Sequence, residues 1–147
     1  MPRAGPAMTG PDAIQGPPAM SVTGLPPYDD TNIFARILRG EIPCKRVAED
    51  EHALAFHDIA PQTPVHVLVI PKGRWVSAAD FHAEAGDAAI AGFWRMVSAV
   101  AKGQGLEATG YRILSNMGQD GGQEVPHFHV HVFGGRRLGR MVGRIEG

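Results

Sequence analysis

Apolar and polar positions recur along the last four-fifths of the chain with periods that can be read as elements. Ile33, Phe34, Ile37 and Leu38 keep the i, i+1, i+4, i+5 spacing of one helix face, behind the polar cluster Asp30-Thr31-Asn32 and ahead of Gly40. This predicts a short helix capped from that cluster. Arg46 to Glu49 and Ala53 to Asp58 have the length of short strands, joined by the acidic turn Glu49-Asp50-Glu51. After Pro61-Gln62-Thr63-Pro64, the run Val65-His66-Val67-Leu68-Val69-Ile70 is apolar on both faces except at His66, and Pro71 stops it. That is the pattern of a central strand. Ala85, Ala88, Ala89, Gly92, Phe93, Met96, Val97, Val100 and Ala101 recur at spacings of three and four, predicting the longest helix from about Ala85 to Lys102. Tyr111 to Asn116 reads as a further strand and Gly118 to Gly122 as a loop. The segment from His127 reads as the last strand.

Two helices and about five strands, most strands joined by hairpin-length connections, predict an α+β domain on a largely antiparallel sheet. The domain is expected to span residues 28–147. Residues 1–27 are rich in Pro, Gly, Ala and Met, and Pro2, Pro6, Pro11, Pro17, Pro18, Pro26 and Pro27 deny them a regular ladder. Such a segment buries too little apolar surface to offset its ordering entropy, so it is expected to be a disordered extension.

Composition narrows the function classes. With 147 residues and 44% hydrophobic content, the chain has enough apolar material for one domain with a core. A net charge of −1 argues against nucleic acid or an anionic membrane as a partner recognised through bulk electrostatics. No stretch approaches the roughly 20 apolar residues of a membrane span. The single cysteine, Cys44, cannot close an intramolecular disulfide, and the first residues lack the continuous apolar core of a signal peptide. These features predict a cytoplasmic protein.

The chemistry concentrates where His127, His129 and His131 alternate with Phe128, Val130 and Val132. In a strand, alternate side chains share a face, so three imidazoles would line one surface and the apolar residues the other. Imidazoles in a row pack poorly and repel once protonated, so this surface is read as a site. Two chemistries are open at this point. Three imidazoles can hold a transition metal, with Asp120 or Glu124 close in sequence as a further ligand. In the alternative, one imidazole attacks phosphorus while the others orient it or handle protons, and water cleaves the phosphorus–nitrogen adduct. The preceding loop suits the second. Gly118, Gly121 and Gly122 allow the backbone close approach to phosphate oxygens, and Asn116 and Gln123 could donate hydrogen bonds without adding charge.

His127-Phe128-His129-Val130-His131-Val132-Phe133 matches the His-φ-His-φ-His-φ-φ signature of the histidine triad (HIT) superfamily, where φ is hydrophobic. Further blocks are Asn32-Ile33-Phe34, Gly40-Glu41-Ile42-Pro43, Ala55-Phe56-His57-Asp58-Ile59, Pro61-Gln62, His66-Val67-Leu68-Val69-Ile70-Pro71-Lys72 and Gly121-Gly122-Gln123. In that order, over roughly Thr31 to Arg137, they resemble the histidine triad nucleotide-binding branch, known as Hint.

The resemblance implies a homodimer whose two sheets join into one, the long helix and the Tyr111–Asn116 strand pairing across a two-fold axis. It implies hydrolysis of the P–N bond of purine nucleoside phosphoramidates, with aminoacyl adenylates as a further substrate class, and neither cofactor nor metal. The ligands would be purine nucleotides such as AMP or GMP derivatives. By the same resemblance His129 is the nucleophile, His131 contacts the phosphate, and His127 and His66 form the supporting network. Asp58 binds the ribose hydroxyls. Ile33, Phe34, Ile37, Phe56, His57, Ile59 and Leu68 surround base and sugar. Asn116, Gly122, Gln123 and the amide of Glu124 face the phosphate. Two alternative functions share this pocket: a nucleotide-binding regulatory protein with little turnover, and a dinucleoside polyphosphate hydrolase of a sister branch. Glu124 stands where animal members carry a serine, although bacterial relatives can carry Glu there, and Pro126 replaces an aromatic residue seen in close relatives. Arg137 to Gly147 has no counterpart of the animal members' aromatic C-terminal segment.

Overall fold

Asn32 opens the first element as the polar cluster predicts. Its side chain accepts the Ala35 amide at 2.9 Å and caps α1 (Ile33–Leu38). Gly40 ends the turn with φ +79, a left-handed conformation that glycine takes without steric cost. The computed structural model describes residues 22–143. The remaining elements are β1 (Arg46–Glu49), β2 (Ala53–His57), β3 (Val65–Pro71), α2 (Ala78–Glu84), α3 (Asp87–Gly103), β4 (Arg112–Leu114), α4 (Gly118–Gly121) and β5 (Val130–Gly134). The strands form one sheet in the order β1-β2-β3-β5-β4, every neighbouring pair antiparallel. This is the α+β architecture that the hydrophobic pattern predicts. None of the described helices is long and apolar enough to cross a membrane.

The alternation of side chains divides the sheet into two faces. Ala53, Ala55, Val67, Val69, Val130 and Val132 turn to one side and bury against Phe93, Val97 and Val100 of α3. Phe81 of α2 and Phe128 close this core, their rings stacked at 4.8 Å. Leu54, Phe56, Leu68 and Ile70 turn to the other side and pack with Phe34 of α1. The register carries that second face onward: Leu68 lies opposite His131 and His66 opposite Phe133. A shift of one residue in β5 would exchange the histidines for valines, so burial of the valines under α3 holds the imidazoles on the α1 side.

Four elements depart from the sequence expectation. α2 was not foreseen, yet Ser77 and Asp80 form a capping box, with the Asp80 carboxylate accepting the amides of Val76 and Ser77 at 2.8–3.1 Å. That Ser-x-x-Asp pattern was its sequence signal. Gly118–Gly121 forms a single helical turn where a loop was expected. β4 is only three residues long, and Tyr111 and Ile113 stay exposed at the sheet edge. β5 begins at Val130, three residues after His127. The Phe128 amide donates to the Trp75 carbonyl at 2.8 Å, so the chain at His127 follows loop partners before it joins the ladder.

Of the segment expected to be disordered, residues 1–21 lie outside the described residues. Val22 to Pro27 lie within them, and Gly24 is buried, its carbonyl accepting the Ser77 hydroxyl at 2.6 Å. The packed chain therefore starts ahead of Tyr28. At the other end Arg112 donates to the carbonyls of Gly139 at 2.7 Å and Arg140 at 3.2 Å, laying the C-terminal segment beside β4.

Candidate active site

Three of the four histidines of the second face, His66, His127 and His129, are tied to a main-chain group, and His131 is tied to His66; those ties decide where the protons sit. The Gln62 amide donates to His66 Nδ1 at 3.1 Å, so the neutral ring carries its proton on Nε2. Nε2–H donates in turn to His131 Nδ1 at 2.9 Å, which leaves the His131 proton on Nε2. His129 Nδ1 lies 2.7 Å from the His127 carbonyl. A carbonyl can only accept, so His129 is protonated on Nδ1 and Nε2 bears the free lone pair. His127 Nε2 donates to the Pro71 carbonyl at 2.9 Å, and its Nδ1 accepts from the Tyr28 hydroxyl at 2.5 Å. The Ser115 hydroxyl donates to the His129 carbonyl at 2.7 Å and holds the backbone of His129 from the end of β4.

Burial keeps all four rings neutral at pH 7. It lowers the pKa of His127 to about 4, the hydrogen bond to Pro71 opposing. His131 also falls to about 4, through burial first and then its neighbours His129 and His66. His129 is lowered by burial against the opposing bond to the His127 carbonyl. His66 is lowered by burial although Asp58 Oδ2, 3.4 Å from its Nε2, favours the charged form. A neutral imidazole is the form that attacks an electrophile.

Most of the residues expected around a ligand lie along this face. Phe34 meets the ring of His129 edge-on at 5.0 Å and that of Phe56 at 5.6 Å. His131 follows at 5.1 Å from His129, and His66 at 5.2 Å from His131. Asp58 is half-buried beyond His66, with Oδ1 accepting the Ala60 amide. Leu68 is buried in the register row of Phe56 and His131, and Ile37 packs against the cluster beneath. Ile33 and Ile59 are exposed apolar side chains, Ile59 at 97%, and His57 is exposed next to Asp58. Asn116 is half-buried, and Gly122 and Glu124 are exposed. Gln123 behaves differently from the expected free donor. It is buried, its Oε1 accepts the Gly118 amide, and its Nε2 donates to the carbonyls of Val76 and Val125, so its side chain builds the loop. Tyr28 and Ser115 were missed by the sequence reading. Tyr28 carried one weak signal, being a polar aromatic beside the capping cluster.

The three motif imidazoles do not converge on one point, because each turns a nitrogen to a different partner. Among the described residues, Asp58, His66 and His131 are the group whose ligand atoms all lie within 4.8 Å of one another. Two of those atoms, His66 Nε2 and His131 Nδ1, share a proton at 2.9 Å, which a cation would have to displace.

Neutral buried histidines make stability depend on acid. The His127 pKa is about 4 in the folded protein against 6.5 for the ordinary imidazole, so the unfolded chain binds a proton in the interval where the native ring does not. Stability from this group is fully present above pH 6.5 and is lost as pH falls to about 4, by roughly 3 kcal/mol. Urea unfolding between pH 7 and 4 should show this decline, and the His127→Asn protein should show a flatter one. Equal slopes in the two proteins would contradict the assignment.

Comparison with known proteins places this geometry. The HIT domain family matches residues 39–138. An uncharacterised 13.2 kDa HIT-like protein of Azospirillum brasilense is 65% identical over 115 residues, 78% of this chain and 94% of that one. The purine nucleoside phosphoramidase of Escherichia coli K12 is 39% identical over 113 residues, 77% of this chain and 94% of that one. Among solved structures, a HIT family hydrolase from Clostridium thermocellum aligns with a TM-score of 0.70 at 32% identity, over 78% of this chain and 98% of that one. Since the matched domain takes in all five strands and the alternating histidines, the chain belongs to the HIT family.

Proposed function

We propose that the protein is a nucleotide hydrolase that cleaves the P–N bond of purine nucleoside 5′-phosphoramidates through a nucleotidyl-histidine intermediate. The observation that carries this reading is the tautomer of His129, whose Nδ1 proton is held by the His127 carbonyl and whose Nε2 is left with a lone pair. Nε2 attacks the α-phosphorus, a P–Nε2 bond forms, and the P–N bond to the amine breaks as the amine takes up a proton and departs. Water then attacks the same phosphorus and releases to solvent a proton that replaces the one the amine took up, the P–Nε2 bond breaks, and the nucleoside monophosphate leaves with His129 neutral again. His131 carries its proton on Nε2 and donates to a phosphoryl oxygen, offsetting negative charge as it develops. The relative of E. coli named for phosphoramidase activity supports the substrate class.

On this reading Phe34, Phe56, Leu68, Ile33, Ile37 and Ile59 provide the apolar wall for base and sugar, with His57 at its rim. Asp58 accepts the ribose hydroxyls, and Asn116 with the Gly122–Glu124 main chain lies on the phosphate side. Aminoacyl adenylates present the same α-phosphorus and belong to the same reaction class. The edge strand β4, with Ile113 43% exposed and Tyr111 just ahead of it 40% exposed, supports a homodimer in which two such edges meet. Sedimentation at micromolar concentration should give twice the chain mass; a monomer alone would remove the dimer from the reading.

His129→Ala should bind AMP with affinity close to that of the parent, yet lose turnover of adenosine phosphoramidate by about three orders of magnitude or more. Rapid quenching of the parent enzyme and mass spectrometry should find AMP on the peptide carrying His129. An adduct on His127 or His131, or full turnover by the variant, would contradict the mechanism. AMP binding without any turnover in the parent would identify a nucleotide-binding regulator instead.

Asp58→Ala should raise KM about tenfold with kcat changed by less than about threefold, because ribose contacts change little between ground and transition states. Steady-state kinetics checks it. A fall in kcat at constant KM would put Asp58 in the chemical step through its contact with His66.

A further inference from the structure

We propose that Tyr28, from the segment ahead of the matched domain, is a positioning residue of the site that holds the nucleophile through His127. The kinetic part of this inference rests on the hydrolase reading; the structural part does not.

His127 has no exposed surface, and both its ring nitrogens need partners. Nε2–H donates to the Pro71 carbonyl, so Nδ1 must accept, and the Tyr28 hydroxyl meets it at 2.5 Å. Without that hydroxyl, Nδ1 is a buried acceptor with no donor. The ring could then move its proton to Nδ1 or rotate, and either change breaks the bond to Pro71. His127 also supplies the carbonyl that fixes His129 Nδ1 at 2.7 Å. Ring and carbonyl belong to one residue, so a displaced ring displaces the anchor of the nucleophile.

Tyr28 is itself held. Its ring stands edge-on to His127 at 5.6 Å, and the Arg74 guanidinium lies over it at 5.2 Å. Arg74 pairs with Asp30, two residues after Tyr28, at 3.1 Å. The segment is pinned a second time at Gly24, whose carbonyl accepts the Ser77 hydroxyl. Gly24 has φ +80, and a Cβ there would come within 2.9 Å of the Gly118 amide and 3.2 Å of Gln123 Oε1. Residues 24–28 thus run as a strap against both the glycine loop beside the site and its most buried histidine. Partial burial raises the pKa of the phenol above 10, so the hydroxyl remains a donor at neutral pH.

Tyr28→Phe removes the hydroxyl and keeps the ring between His127 and Arg74. Nitrogen-15 NMR of the imidazoles should show His127 leaving its single tautomer, and the His129 Nε2 signal moving from its fully unprotonated position. With adenosine phosphoramidate, kcat should fall about tenfold while KM stays within twofold. Tyr28→Leu, which also removes the ring, should lower kcat at least as far. A merely structural tyrosine would lower the melting temperature and leave the His129 signal and kcat, measured well below that temperature, within twofold of the parent; this result would overturn the proposal. If the parent itself does not hydrolyse the phosphoramidate, the hydrolase reading fails, and the His129 signal alone decides whether Tyr28 positions the nucleophile.

Discussion

A main-chain carbonyl has lone pairs and no proton, and the site depends on that asymmetry. The His127 carbonyl forces the proton of His129 onto Nδ1, and the Pro71 carbonyl forces that of His127 onto Nε2. At the other end an amide does the converse, since the Gln62 N–H makes His66 Nδ1 an acceptor. His131 has no main-chain tie of this kind and takes its tautomer from His66. Backbone positions are set by the sheet and its loops, so the tautomers of His66, His127 and His129 are as fixed as the fold. Peptide groups do not titrate, so the partners that set these three tautomers are the same at every pH.

The rings must also be dry enough to stay neutral, and the same alternation that builds the core provides this. Val130 and Val132 enter the α3 side, which leaves His129 and His131 facing Phe34, Leu68 and Phe133. Phe128 is the hinge between the two requirements. Its ring stacks on Phe81 in the core, while its neighbours on either side, His127 and His129, form the site. Core packing and site geometry are therefore one constraint at this point of the chain, and a change in one is felt in the other.

Much of this was legible in the sequence because it follows local periodicity. The β3 run, the capped α1 and the long apolar stripe of α3 fall within two residues of their expected bounds. The single histidine face was also legible, since a two-residue period is the simplest statement a strand can make. The remainder depends on non-local hydrogen bonds. The start of β5 is decided by Trp75, which draws the Phe128 amide away from the ladder from more than fifty positions upstream. Gln123 reads as a free donor until the carbonyl of Val76 is seen to take its amide. Tyr28 opens the expected domain directly behind a segment whose composition signals disorder, and only the fold brings it to His127. α2 is a different case, because its capping box, Ser77 with Asp80, is a local pattern that stands in the sequence itself.

A site of neutral imidazoles has a consequence for how it treats a nucleotide. On the proposed reading it meets an anionic phosphoryl group with N–H dipoles and no fixed positive charge from the four rings, while Asp58 lies within 3.4 Å of His66. Ground-state attraction for the phosphate is then modest. Hydrogen bonds from fixed donors strengthen as negative charge grows on the phosphoryl oxygens, which is the condition for stabilising the transition state more than the substrate. Base and sugar, held against Phe34, Phe56 and Leu68, carry the affinity instead. On the proposed reading recognition falls to the apolar face under α1 and chemistry to the histidines, and the edge contact between Phe34 and His129 is where the two adjoin.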